Sequence, residues 1–242
     1  MVAGRESLLI MSNAGPRYAL YFAPDGSSPL WSFGSRILGY DAASGETRSY
    51  PDELGAFIER WPSLTSEPRK YGFHATLKAP FYLADGSDEQ SLLLSVSNFA
   101  KVTRPFFLPL KISNIGPFIA LKPASMADQI NALASNIVNH FDHFRKPLSA
   151  EDRARRLQSP LTDRQIAYLD LYGYPYVYEE FRFHMTLTNS LHIEDREPVL
   201  DCLQAMFETQ IDNKDIPINR LCVFRQDDTK SQFRIIHSAN FE

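Results

Sequence analysis

One five-residue phrase occurs twice in this chain. Phe73-His74-Ala75-Thr76-Leu77 and Phe183-His184-Met185-Thr186-Leu187 both read Phe-His-x-Thr-Leu, each inside a run that looks like a β-strand. Side chains in a strand alternate between faces, so each His shares a face with the Thr two positions on. Two such strands, brought together, place two imidazoles and two hydroxyls around one small space. That set suits in-line attack on a phosphate ester. One imidazole takes a proton from the attacking oxygen, the other protonates the departing oxygen, and the hydroxyls steady the non-bridging oxygens. Imidazole fits both tasks because its ordinary pKa lies near neutrality. One His-x-Thr among six histidines is a weak signal; two, each with the same flanking Phe and Leu, are not.

The alternation extends outward. Gly72, His74, Thr76 and Lys78 fall on one face of the first strand, and Arg182, His184, Thr186 and Thr188 on one face of the second. Lys78 and Arg182 are therefore expected to contact substrate, while Phe73, Ala75, Leu77, Phe183, Met185 and Leu187 face the core. Tyr71 is a candidate to stack on a base or sugar. Arg17 and Tyr18 open another strand, and as adjacent residues only one of them can face the cleft; Tyr18 is carried as the candidate contact. His140 and His143 stand three apart on a predicted helix, a spacing that can bind metal, but no third ligand follows, and a helix end explains them more simply. Arg153, Arg155 and Arg156 are either a solvated helix face or a lid over a distal phosphate.

These residues need elements to position them. A strand is predicted over 17–23, ended by Pro24-Asp25-Gly26, then a long loop over 25–50 and a short helix over 51–60. The first motif strand spans about 71–83. A helix at 88–102 follows, opened by a Ser87/Gln90 capping box, then strands at 105–113 and 117–122 and a helix at 126–143. The second motif strand spans about 181–192, followed by a helix at 195–209 and strands at 215–225 and 232–238. Each motif strand is thus followed by a helix and a pair of strands, which predicts an internal duplication. The expected fold is α+β and two-lobed, with two antiparallel sheets meeting at a central cleft and helices on the outer faces. Residues 144–180 break the symmetry as an insertion, helical in part from a Thr162/Gln165 capping box. Residues 17–240 read as one bilobal domain after an extension at 1–16, in which Met11 is an alternative start.

Composition narrows the function. At 44% hydrophobic and 22% charged, 242 residues can bury a sizeable core, and a net charge of −4 does not favour general nucleic-acid binding. Two cysteines are no disulfide scaffold and suit a reducing, cytoplasmic setting. No Cys/His spacing supports a zinc site, and the apolar run Leu8–Met11 is too short for a signal or membrane segment.

Paired His-x-Thr motifs half a chain apart resemble the two-histidine phosphoesterase superfamily. The phrases Arg17-Tyr18-Ala19-Leu20-Tyr21-Phe22, Tyr71-Gly72-Phe73-His74-Ala75-Thr76-Leu77-Lys78 and Gly173-Tyr174-Pro175-Tyr176 with Phe181-Arg182-Phe183-His184 resemble a bacterial branch of unknown activity associated with phosphonate-utilisation gene clusters. The resemblance runs from about residue 17 to 238. It implies that His74 and His184 are catalytic, that Thr76 and Thr186 bind phosphate, and that neither metal nor cofactor takes part. The implied activity opens a small ribose or nucleoside cyclic phosphate. Two other readings stay open: a cyclic phosphodiesterase or ligase acting on RNA ends, and a non-catalytic sensor of a phosphorylated metabolite. No membrane partner is expected.

Overall fold

The computed structural model describes residues 15–242. Its strands are β1 (Arg17–Phe22), β2 (Tyr40–Asp41), β3 (Glu46–Thr47), β4 (Ala75–Tyr82), β5 (Phe106–Ile115), β6 (Phe118–Pro123), β7 (Met185–Thr186), β8 (Asp215–Ile218), β9 (Arg220–Gln226) and β10 (Arg234–Asn240). Its helices are α1 (Pro29–Leu38), α2 (Trp61–Leu64), α3 (Ser66–Arg69), α4 (Glu89–Lys101), α5 (Asp128–Phe141), α6 (Ala150–Arg156), α7 (Asp163–Tyr172) and α8 (Ile193–Gln210). The N-terminal extension, as far as residue 14, and the alternative start at Met11 lie outside the described residues.

The fold is α+β, as expected, but the two motif strands belong to one sheet. Eight strands run antiparallel in the order β10-β9-β1-β4-β7-β6-β5-β8, and β2 and β3 form a separate small hairpin. The sheet is continuous because β4 and β7 pair backbone to backbone where Ala75 faces Met185. Hairpin β5–β6, which follows the first motif, pairs with β7 of the second. Strands β9 and β10, which follow the second motif, lie beside β1 and so on the side of the first. The strand pair that follows each motif thus lies on the other motif's side of the sheet.

Helices cover the apolar sheet face. Helix α4 lies on β9 and β10, α5 on β4, and α8 on β5 and β6. Phe73, Ala75, Leu77, Phe183, Met185 and Leu187 are all buried in the core, as alternation predicts. Asp88, rather than Ser87, caps α4, in a reciprocal box with Ser91. The Thr162/Gln165 box opens α7 as read from the sequence.

The stretch expected to be a loop over 25–50 holds α1 and the β2–β3 hairpin. The helix signals there are local. The Ser28 side chain accepts a hydrogen bond from the Trp31 N–H, Pro29 occupies the first turn, and Gly39 closes the helix at a left-handed φ of 67°. Trp31, Phe33, Ile37 and Leu38 bury its apolar side. Gly34 meets the Phe73 ring directly, and a Cβ there would lie 2.1 Å from the ring. This contact sets how closely α1 approaches the residue just before His74.

Gly34→Ala is accordingly expected to cost about 1–3 kcal/mol through overpacking. The urea midpoint falls while the m-value is kept; a parental midpoint contradicts the packing argument.

Candidate functional site

His74 immediately precedes β4, and His184 immediately precedes β7. Ala75 pairs with Met185 in an antiparallel register. Continued one residue to either side, that register sets His74 opposite Thr186 and Thr76 opposite His184. Residues directly opposite in an antiparallel pair have Cα atoms about 4.5–5.5 Å apart. The Cα atoms of the two histidines and two threonines therefore form the corners of one small square, with the histidines on a diagonal.

Both rings are held the same way. Nδ1 of His74 lies 2.8 Å from the Gly72 carbonyl oxygen, and Nδ1 of His184 lies 2.7 Å from the Arg182 carbonyl oxygen. A carbonyl only accepts, so each Nδ1 carries the proton and each neutral ring keeps its lone pair on Nε2. Nε2 of His74 is 3.2 Å from the Thr76 hydroxyl. The His74 ring stacks on Tyr21 with centroids 3.8 Å apart and planes 20° apart. Gly72 holds its carbonyl in place at φ 75°, with Ala42 packed where a side chain would project.

Burial disfavours the imidazolium, and the pKa of His74 falls to about 4, with the charge of His184 lowering it further. The pKa of His184 is also lowered by burial, against its bond to the Arg182 carbonyl. A charge on His184 opposes protonation of His74.

A cavity of about 580 Å³ opens over the square. His74, Thr76 and Thr186 line it, with Tyr21, Tyr71 and Tyr174 as aromatic walls. His184 does not itself line it; its ring lies 5.9 Å from that of Phe118, which does. Beyond Ala75 and Met185 the two motif strands part. Ala79 and Pro80 on one and Thr188 to Ser190 after the other border the opening. Asn189 fixes that edge: its amide donates to the Ser63 carbonyl and the Ser66 hydroxyl, and its carbonyl accepts from the Glu67 N–H.

Four expected contacts fare differently. Tyr71 lines the cavity, stacked on Phe233 with centroids 5.2 Å apart. Tyr18 lies on the opposite face, buried, with its hydroxyl donating to Glu89 on α4 at 2.9 Å; its neighbour Arg17 faces the cavity instead. Lys78 is buried and paired with Asp142 at 2.8 Å, away from the cavity. The cause is a bulge in β4. Thr76 pairs with Tyr21 but Lys78 with Leu20, so Leu77 is an extra residue and Lys78 turns to the helix side. Arg182 is exposed, its guanidinium donating to the carbonyls of Glu179 and Phe181. The chain from 181 to 184 is not in a ladder, so strand alternation does not hold there.

The arginine cluster also divides. Arg153 pairs with Asp170 and Arg155 with Asp152, both at 2.6 Å, while Arg156 reaches the cavity over the Tyr174 ring. His140 packs on Phe99 and Phe141, and His143 is exposed against Phe144. Among the described residues, no group of three or more His, Cys, Asp and Glu is placed to hold a metal ion, and no helix is long and apolar enough to cross a membrane.

Fold and site together define a protein with two imidazoles and two hydroxyls at the centre of an antiparallel sheet, beneath a cavity flanked by cations. Residues 76–234 match the family described as "Protein of unknown function (DUF1045)", and the chain belongs to that family. It is 38% identical over 197 residues to a ribose 1,5-bisphosphate phosphokinase PhnN of Janthinobacterium sp. (strain Marseille), covering 81% of this chain and 44% of that protein. A protein of the same name from Laribacter hongkongensis (strain HLHK9) is 31% identical over 219 residues, covering 90% and 50%. The chain thus spans about half the length of these curated relatives. Among solved structures, one described as a phosphoesterase gives a TM-score of 0.41 at 11% identity, covering 94% of this chain and 98% of that one. A conserved protein of unknown function from Agrobacterium tumefaciens str. C58 gives 0.45 at 11% identity, covering 94% and 87%.

Ring-proton NMR titration is expected to give midpoints below 6.5 for both motif histidines, with His74 near 4. The folded protein then binds fewer protons at His74 than the unfolded chain does. Its contribution to stability is full above pH 6.5 and is lost as pH falls toward about 4. His74→Gln flattens that part of the stability profile; an unchanged slope contradicts the burial of a neutral ring.

Proposed function

We propose that this protein is a two-histidine cyclic phosphodiesterase that opens a small cyclic phosphate on ribose. The observation that carries this reading is the register at Ala75 and Met185, which sets His74 opposite Thr186 and Thr76 opposite His184. A phosphate seated at the centre of the square has an imidazole on each of two opposed sides and a hydroxyl on each of the other two.

In the proposed step His74 is the base: with its Nδ1 proton on the Gly72 carbonyl, its Nε2 takes a proton from water as the water oxygen bonds to phosphorus. The bond from phosphorus to one ribose oxygen breaks on the far side, and His184 gives that oxygen its proton. The two imidazoles together supply both transfers, so the step needs no metal ion. Bound phosphate, being an anion, favours the protonated form of His184 that the step requires. The hydroxyls of Thr76 and Thr186 donate to the non-bridging oxygens as charge builds there.

The substrate class is supported from two directions. A cavity of about 580 Å³ is of a size for a phosphorylated sugar or a mononucleotide. The curated relatives are named for ribose 1,5-bisphosphate. This chain has no Gly-x-x-x-x-Gly-Lys-Ser/Thr phosphate loop, so the kinase part of that name is not carried over, whereas the phosphorylated ribose is. The resemblance to a branch found with phosphonate-utilisation gene clusters suits a role in phosphonate metabolism. The repeated order of strand, helix and hairpin supports descent of the two parts from one duplicated unit.

The test is phosphorus NMR with chelator present, on ribose 1,2-cyclic phosphate and nucleoside 2′,3′-cyclic phosphates. The parent is expected to open at least one ring. His74→Ala and His184→Ala each lower turnover about 10²-fold or more, and Thr76→Val and Thr186→Val about 10-fold or more. Both histidine variants within a few-fold of the parent would falsify the mechanism.

A further inference from the structure

Two arginines face the cavity without a carboxylate partner among the described residues, and both are held in place. Arg17 and Tyr21 lie on the same face of β1, whose register with β9 is regular throughout. Tyr21 marks the square, because the His74 ring stacks on it. Tyr21 is four positions along the strand from Arg17, so their Cα atoms are about 13 Å apart. Arg17 therefore stands at the far end of the cavity from the histidines.

Arg17 is aimed by a neutral group. Its Nε donates to Gln226 Oε1 at 2.8 Å and its Nη2 donates to the same oxygen, while the guanidinium lies over the Phe233 ring. Gln226 is only 4% exposed, and its own amide donates to the Ser231 carbonyl, which fixes which end faces Arg17. A buried amide orients the arginine but leaves its charge uncompensated. Arg156 is similar. Its side chain lies over Tyr174 with Nε buried and lacking a hydrogen-bond partner, though Arg153 and Arg155 on the same short helix each have a carboxylate. Arg17 is near enough for its charge to act on Arg156, as is Asp152, whose carboxylate is paired with Arg155. Glu67, a carboxylate on the cavity wall, has both oxygens on Lys70. Among the described residues, two like charges drawn toward one partly desolvated space have no carboxylate paired with either, Asp152 being held by Arg155, and an anionic ligand supplies the missing partner.

We propose that Arg17 and Arg156 form a second anion subsite, which binds a phosphomonoester on the substrate about one sugar's length from the phosphodiester at the histidines. The inference rests on the phosphodiesterase reading for the bond that is cleaved, and on the arginines alone for the binding. The substrate is then a sugar phosphate that also carries a cyclic phosphate, and Arg17 and Arg156 select it over the same ring without the monoester. Ring opening of such a molecule yields a sugar with two phosphomonoesters, so a reaction that makes or consumes a bisphosphorylated sugar is its neighbour in sequence.

The test is calorimetric titration with ribose 5-phosphate, which has the monoester but no ring to open. Parent protein and the His74→Ala/His184→Ala variant are expected to bind it. Arg17→Gln and Arg156→Gln weaken binding about 10- to 100-fold, Arg17→Lys and Arg156→Lys restore part of it, and Arg153→Gln leaves it unchanged. In parallel, the parent is given ribose 1,2-cyclic phosphate with and without a 5-phosphate. A preference for the phosphorylated form that Arg17→Gln or Arg156→Gln abolishes through KM supports the subsite. No binding of ribose 5-phosphate by the parent, or equal binding by both glutamine variants, overturns it. Arginine-dependent binding without opening of any ring supports the subsite and counts against the phosphodiesterase reading alone.

Discussion

The candidate site depends on a backbone contact one residue pair long. Ala75 and Met185 face each other where β4 meets β7, and that pair joins the strands β10-β9-β1-β4 to β7-β6-β5-β8. Because the register is antiparallel, two copies of His-x-Thr arrive crossed, each imidazole opposite the other copy's hydroxyl. A slip of one residue in either strand would turn that copy's pair toward the helices. The contact is short because its two strands diverge at once, and the divergence makes the cavity. One pairing thus fixes the distances within the square and opens the space above it.

Around that junction, neutral and charged groups are kept apart. The imidazoles sit among Tyr21, Phe224 and Phe118, where burial keeps them uncharged, with their Nδ1 protons committed to backbone carbonyls. Lone pairs at Nε2 remain for chemistry. The positive charge of the cavity comes from Arg17 and Arg156 at its other end, and arginine keeps its charge where histidine gives it up. Lys78, the cation closest to the motif in sequence, is spent on Asp142 beneath the sheet. The cation nearest in sequence is therefore structural, and the cations at the cavity come from β1 and from the segment between the two halves.

Much of this was legible because it is local. Period-two alternation named the six core residues of the two motifs and the four polar ones opposite them. Helical spacing found α4, α5 and α8, and a capping box found α7. What failed was non-local or depended on a single inserted residue. The bulge at Leu77 reverses Lys78, and the one signal of irregularity in β4 is Pro80, three residues on, where the register shifts again. Adjacency in a strand makes Arg17 and Tyr18 point opposite ways, but only the covering helix α4, through Glu89, decides which points in. Gln226, which aims Arg17, stands 209 residues away in sequence. Helix α1 is a different kind of miss, since Ser28, Pro29 and Gly39 were sufficient signals hidden in a stretch rich in Gly and Ser.

The crossed square is tested most directly by a crystal structure of the protein with a ribose–vanadate complex, whose five-coordinate vanadium mimics phosphorus under in-line attack. The account predicts one vanadium at the junction, with Nε2 of His74 and Nε2 of His184 against its two apical oxygens and the Thr76 and Thr186 hydroxyls on its equatorial oxygens. Vanadate held by one motif alone, or by both histidines from the same side, would contradict it.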